Sequence, residues 1–364
     1  MQPKKHKAAF TILELLVAVS VTALLAAMLL NITSQVVSTQ TKASGDLETN
    51  QIAQFILDRI QEDLQCAFSK NDGNVWMAAK ILVDYNDISQ VGADWKKAPS
   101  LEKPSGQSSR FFEEDWTGQL SSELTKANRQ GPLMEARYGA GGTWLRFFTQ
   151  APELDPQAQN AGAARAIAYQ IVRYGLTGSE TSRPRYQLFR SDVNSMNTFN
   201  AGYNLDPVDG NYKASNGNGE RQAGNIANPI FQDQEGNPST DFSLAANVID
   251  FGIRAYVMER NREGTGFLKQ IFPELTTSDR NYEFKASTNS KYQETGQKSL
   301  HSYPEVIDVM VRILTTEGAS VINALEDGTV PVPNGIDASE YWWQVAEKNS
   351  EVYQRRVKIM SSPL

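Results

Sequence analysis

Sulfur and imidazole are scarce in this chain. Its 364 residues hold one cysteine, Cys66, and two histidines, His6 and His301. One cysteine cannot close an internal disulfide, and so few Cys and His residues cannot supply a zinc cluster. A Ser or Cys nucleophile in the body of the chain would have only His301 as its imidazole base, and His301 lies in an unpatterned polar stretch. Positive charge is also in deficit. Lys and Arg number 35 against 42 Asp and Glu, a net charge of −7. A broad cationic face for nucleic acid is therefore not expected. Gly139-Ala140-Gly141-Gly142 lacks the Gly-Lys-Ser/Thr ending of a phosphate loop and precedes a strand candidate, so it reads as a turn. These absences lead us to expect no enzyme. Disorder throughout is not expected either, because 40% of the residues are hydrophobic and 21% charged, enough apolar material to bury a core.

What the chain does have is concentrated at its N-terminus. Residues 1–9 read MQPKKHKAA, with Lys4, Lys5 and Lys7 in a short head. Phe10 to Ile32 follow as an apolar run with a single charge, Glu14. A helix of about 23 residues is roughly 34 Å long, enough to cross a hydrocarbon core of about 30 Å. The preceding lysines favour a cytoplasmic N-terminus, with the remainder of the chain on the other side. A carboxylate inside such a helix costs on the order of 2.5–3.5 kcal/mol on insertion scales, so Glu14 calls for a partner or a place at the headgroup level. A secretory signal peptide is the competing reading, although a glutamate opening the apolar region is unusual for one.

Ala9-Phe10-Thr11-Ile12-Leu13-Glu14-Leu15-Leu16-Val17-Ala18 resembles the prepilin cleavage and methylation signature of type IV pilins and type II secretion pseudopilins. In that family a basic leader ends in a small residue, usually glycine, ahead of phenylalanine, and a glutamate stands fifth in the mature chain. Here Ala9 replaces the glycine, Phe10 would be the first mature residue and Glu14 the fifth. The resemblance implies cleavage between Ala9 and Phe10 by a prepilin peptidase and N-methylation of Phe10. It also implies an assembly role for Glu14, facing the cationic N-terminal amine of a neighbouring subunit. In a low dielectric each of those charges offsets the desolvation cost of the other. An intrahelical pairing of Glu14 with the Phe10 amine, four residues apart, stays open. Loss of the leader lysines would take the net charge from −7 to −10, before counting the new amine.

Beyond the anchor, residues 33–51 turn polar while keeping a helix-compatible spacing, and Gly45 is expected to kink or loosen the helix. Ile52, Phe55, Ile56, Ile60, Leu64 and Ala67/Phe68 recur at three- and four-residue steps, an amphipathic stripe suited to docking on a sheet. Asp58, Arg59, Glu62 and Asp63 are placed on its opposite, polar side, and Cys66 near its end is read as a small buried or half-buried residue. From about residue 70 the pattern becomes strand-like. Candidates are 74–83, 143–149, 166–174, 185–190 and 353–360, with a helix over 337–348. Ile249, Phe251, Ile253, Ala255 and Val257 alternate with Asp250, Gly252, Arg254 and Tyr256. Ile307, Val309, Val311 and Ile313 alternate with Asp308, Met310 and Arg312. Both runs read as strands with one buried face. The stretches 84–110, 191–240 and 260–300 read as long loop insertions on this β core.

The order of LDRIQEDLQ at the helix end, RYQLFR, NVIDFGIRAYV and YPEVIDVMVRIL resembles the J-type minor pseudopilin of type II secretion systems. The length carried by the insertions also resembles a larger, divergent group, the Verru_Chthon cassette protein C group. The expected fold is therefore α+β and pilin-like: a long N-terminal helix packed on an antiparallel β-sheet domain with long insertions. Its segments are a leader (1–9), a transmembrane helix (10–32), an amphipathic continuation (33–70) and a β-rich globular domain (71–364). The resemblance implies a single-pass inner-membrane protein with its domain in the periplasm. Its partners would be prepilin peptidase and other minor and major pseudopilins, with no nucleic acid. A minor type IV pilin for adhesion or DNA uptake, or a membrane-tethered exported binding protein, are the alternatives. No cofactor is expected. Calcium on the oxygen-rich stretches Asp206–Asn211 or Asn216–Glu220 is the one open exception, since some pseudopilins bind it, although neither stretch has EF-hand spacing. Glu113, Glu114 and Asp115 between Phe112 and Trp116 read as a solvated loop, and Trp342 with Trp343 as core or docking residues.

The leader yields a direct prediction. Mass spectrometry of the purified protein should find a mature chain starting at N-methylated Phe10; a start at Thr33 or later would mark an ordinary signal peptide.

Overall fold

In the computed structural model the described residues are 12–70, 75–81, 143–150, 164–175, 184–203, 205, 231–232, 238–239, 243–272, 283–287, 300–326, 328–336 and 338–360. The chain divides into two compact units, Met1–Glu48 and Thr49–Leu364. Helix α1 covers Ile12–Gln65, and no break falls at Gly45. The strands of the second unit begin with β1 (Met77–Ile81), β2 (Thr143–Gln150), β3 (Ala164–Gly175) and β4 (Pro184–Val193). A short helix α2 (Ser195–Asn200) follows, then a two-stranded ribbon of β5 (Phe231–Gln232) and β6 (Pro238–Ser239). Next come β7 (Ser243–Ala246), β8 (Val248–Arg260), β9 (Gly266–Phe272), β10 (Glu283–Ser287), β11 (Leu300–Ser302) and β12 (Val306–Leu314). Helices α3 (Thr316–Glu326) and α4 (Ala338–Lys348) lead to the last strand, β13 (Ser350–Lys358).

Among the described residues the strands form a larger sheet in the order β11-β10-β1-β2-β3-β4-β7 and a smaller one in the order β13-β12-β8-β9. Pairing is antiparallel except between β10 and β11. This is the α+β arrangement of a long N-terminal helix followed by antiparallel sheets. Register explains the main core. Phe147 pairs with Ile167, Leu145 with Tyr169 and Ile171 with Leu188, so these side chains share one face of the larger sheet. On the smaller sheet Val309 pairs with Ile253 and Val311 with Phe251. Those two faces and the stripe Ala53, Ile56, Leu57, Ile60 and Leu64 of α1 enclose one buried cluster.

The opposite face of the larger sheet is covered as well. Phe68, Trp76, Trp144, Phe148, Ala166, Ala168 and Phe189 are buried with Ala201 and Leu205. α2 is capped by Asn194, whose side chain accepts the Asn197 N–H at 2.8 Å. Arg146 donates to the Leu205 carbonyl at 2.8 Å and fastens the segment after α2. Lys70 sits 4.6 Å from the Tyr203 ring centre in a cation–π contact.

Several sequence expectations need correction. α2, β5 and β6 lie in 191–240, and β9, β10 and β11 fall in or reach the 260–300 stretch, so parts of the supposed insertions are ordered elements, while 84–110 lies outside the described residues. α3 was not anticipated. The last strand runs over 350–358, three residues earlier than its pattern suggested at the start. Phe55 is 58% exposed rather than part of the docked stripe; it precedes Ile56 by one position, about 100° around the helix from the buried face. β8 does not have a solvent face at its start, because Asp250 and Arg254 are both buried. They pair across the ladder with Arg312 and Asp308, so charge is matched in register. Arg356 from β13 also grips Asp308 with a two-pronged contact at 2.6 and 2.7 Å.

Ile60 is fully buried at the centre of the α1 stripe. Ile60→Asp should destabilise the domain by several kcal/mol, since an unpaired charge would lie in an apolar core. A thermal melt of the full chain in detergent checks this; an unchanged melting temperature would refute the docking.

Candidate functional site

The N-terminal unit presents its apolar side chains outward. From Ile12 to Val37 the large hydrophobic residues of α1 are exposed, for example Leu16 at 64% and Leu30 at 73%. A helix apolar on every side is not stable facing water, and its natural solvent is lipid or other helices. The helix contains a segment long and apolar enough to cross a membrane. Two hydroxyls of that segment are satisfied within the helix, as a hydrocarbon environment demands. Ser20 donates to the Val17 carbonyl at 2.9 Å, and Thr22 to the carbonyls of Ala18 and Val19, both at 2.9 Å. Glu14 stands in the first turn of α1, where a negative charge complements the helix dipole. Ala9 and Phe10 lie outside the described residues.

In the second unit the end of α1 is fixed by a buried ionic chain. Asp63, placed on the polar side by sequence, is instead buried with its carboxylate facing β3 and β4. Arg190 holds it through Nε to Oδ2 at 2.7 Å and Nη2 to Oδ1 at 2.9 Å. Tyr169 donates its hydroxyl to the same Oδ2. Burial first, then the negative charge of Asp63, pushes the Tyr169 phenol well above its ordinary value, so it stays protonated as a donor. Arg190 also reaches Asp192 at 2.7 Å, and Asp192 meets Arg165 at 2.7 Å. Thus LDRIQEDLQ and RYQLFR, the motifs at the helix end and in mid-chain, meet at Asp63 and Arg190. Spacing held the clue: 56, 60, 63 and 67 step by three or four and share a face, so position 63 belongs to the docked stripe.

The helix end is also sealed by backbone-directed bonds. Thr149 Oγ1 donates to the Asp63 carbonyl at 3.0 Å, and the Gln150 N–H donates to the Cys66 carbonyl at 3.2 Å. Carbonyls of a final helical turn have no intrahelical donor, so β2 supplies them. Across the helix, Thr49 bonds the Tyr353 hydroxyl at 2.9 Å, and Arg355 reaches Asp58 and Gln61.

The remaining candidates separate. Cys66 is exposed, not buried, since its own carbonyl and not its thiol faces β2. His301 is a β11 residue paired in register with Ala286. Trp342 is fully buried against Tyr186, ring centres 5.9 Å apart, while nothing is described of the Trp343 side chain. Gly139–Gly142, Glu113–Trp116, Asp206–Asn211 and Asn216–Glu220 lie outside the described residues. Among the described residues no group of three or more His, Cys, Asp and Glu converges as metal ligands.

Comparison with known proteins bears on the first of these regions. The family model for the prokaryotic N-terminal methylation motif matches residues 4–30. The match takes in Ala9, Phe10 and Glu14 and the apolar start of α1. It supports a pilin- or pseudopilin-type protein, with a single N-terminal membrane anchor, prepilin-peptidase processing and assembly with other subunits of that type. No curated protein and no solved structure matches the chain.

The ionic chain gives a second stability prediction. Arg190→Met should cost about 3–5 kcal/mol, because it leaves the buried Asp63 carboxylate without its cation. Denaturant unfolding of the full chain measures it, and a loss below about 1 kcal/mol would mean that the pair is dispensable.

Proposed function

We propose that this protein is a minor pseudopilin of a type II secretion-like system, of the J type. It is stored in the inner membrane by residues 10–32 with its β domain in the periplasm. It enters a short filament through its N-terminal helix and helps to initiate or cap that filament for protein export. Its role is structural rather than enzymatic. The observation that carries this reading is the methylation motif over residues 4–30 running directly into an outward-facing apolar helix. The order of LDRIQEDLQ, RYQLFR, NVIDFGIRAYV and YPEVIDVMVRIL, which resembles the J type, supports that assignment within the class. Lys4, Lys5 and Lys7 favour the stated orientation.

Co-purification separates this from a minor type IV pilin. Minor and major pseudopilins of a secretion system should come with the protein, whereas pilus subunits in their place would transfer it to the adhesion or DNA-uptake class. The role of Glu14 makes a sharper test. If the carboxylate serves its own helix alone, Glu14→Leu eases insertion by roughly 3 kcal/mol and harms nothing. If it meets the Phe10 amine of a neighbour, the same change strands that amine in low dielectric. The expected outcome is split: normal leader cleavage by gel mobility and normal membrane retention, with markedly weaker cross-linking to partner subunits. Undiminished cross-linking would remove Glu14 from assembly.

A further inference from the structure

The hairpin of β8 and β9 extends past the sheet that carries it. β12 accompanies β8 only as far as Tyr256, opposite Val306. Glu305 closes the ladder there: its N–H donates to the Tyr256 carbonyl at 2.9 Å, and its carboxylate accepts the Met258 N–H at 3.1 Å. Beyond this point Val257–Arg260 pair with Gly266–Lys269 alone, and the outer edge of β9 has no strand partner among the described residues. The arm is nevertheless built to hold its form. Asn261 accepts the N–H groups of Glu263 and Thr265 at 3.1 and 2.8 Å, and Gly264 supplies the positive φ of 83° that the turn requires. Lys269 and Glu259 brace it across the strands at 2.7 Å.

Both faces of this arm carry apolar residues that the domain does not cover. Phe267 is 46% exposed on one face and Met258 49% on the other. A two-stranded ribbon is marginal in water, and large apolar residues at its end add nothing to its own core. Its charge differs from that of the chain. Arg260, Arg262 and Lys269 oppose Glu259 and Glu263, in a chain of net charge −7. With Lys269 and Glu259 paired to each other, the tip is left with two arginines and one glutamate. Two such arms placed edge to edge would set like charges against each other.

We infer that the β8–β9 arm is a docking arm for an acidic face, with an apolar recess, on a different prepilin-type subunit. The tip of the arm enters the recess with Phe267 against one wall and Met258 against the other, and Arg260 and Arg262 meet the acidic rim. The inference rests on the filament-subunit reading and adds to it the surface that selects the neighbour.

The test uses the full chain in native membranes with a benzophenone amino acid at position 267, and the same probe at Ser320, exposed on α3, as control. The expected result is an adduct from 267 and none from 320. Mass spectrometry should identify the captured protein as an acidic chain bearing its own N-terminal methylation segment. Arg260→Glu with Arg262→Glu should lower the adduct roughly tenfold without moving the melting temperature, the equivalent of about 1.4 kcal/mol of binding; the paired lysine variant should retain most of it. An adduct with a second copy of this chain, with lipid or with nothing overturns the arm, as does equal yield from the glutamate variant. Methylation of Phe10 is read on the same sample. If Phe10 is methylated and 267 captures nothing, the arm fails while the filament reading stands; if Phe10 is unmethylated, the filament reading fails too.

Discussion

The contact between Asp63 and Arg190 is the constraint on which the architecture depends. An apolar stripe alone can slide or rotate on a sheet, because hydrophobic burial has no direction. A carboxylate gripped by a two-pronged guanidinium and a phenol has direction in every axis. It fixes the azimuth of α1, which in turn turns Ile56, Ile60 and Leu64 inward and leaves Phe55, Glu62 and Cys66 outward. Burial of such a pair is not itself a strong source of stability, since desolvation offsets much of the attraction. Its contribution here is to make one docking orientation better than its neighbours.

That orientation lets one helix serve two solvents. Over its first half it exposes apolar side chains, and Ser20 and Thr22 bond to its own backbone, the requirements of a hydrocarbon setting. Over its last turns it is amphipathic, and its carbonyls are met by Thr149 and Gln150. The buried polar groups of the domain are largely structural: Asp250 opposes Arg312, Arg254 opposes Asp308, and Arg146 holds a loop carbonyl.

Much of this was legible beforehand, and the misses have physical causes. The anchor and the methylation segment read clearly because a long apolar run with one early glutamate has few alternatives. The strands at 248–260 and 306–314 read well because apolar residues alternate with polar ones there, and those at 143–150 and 164–175 because they are rich in β-branched and aromatic residues. β10 and β11 were missed because each is short and lies among Ser, Asn, Thr and Lys, with pairing supplied by distant partners rather than local pattern. α3 was hidden by Gly318 in its first turn, which lowers helix propensity; yet Asn349 packs so close that a Cβ at 318 would lie 2.5 Å from its side chain. By its charge Asp63 reads as solvent-facing, yet its position puts it on the buried stripe.

The pairing of the two ends of the domain has a consequence for how the protein is made. Thr49 bonds Tyr353, a separation of 304 residues, and Asp58 meets Arg355 across 297. At synthesis rates of roughly 5–20 residues per second, the helix waits on the order of 15–60 seconds for the strand that completes its cradle. Throughout that interval the stripe Ile56, Ile60 and Leu64 is exposed beside a membrane that would welcome it. An order of events in which the anchor comes first and its counterpart last therefore makes folding a race between closure and misdocking, and places a newborn chain among the clients of whatever chaperones attend the membrane surface.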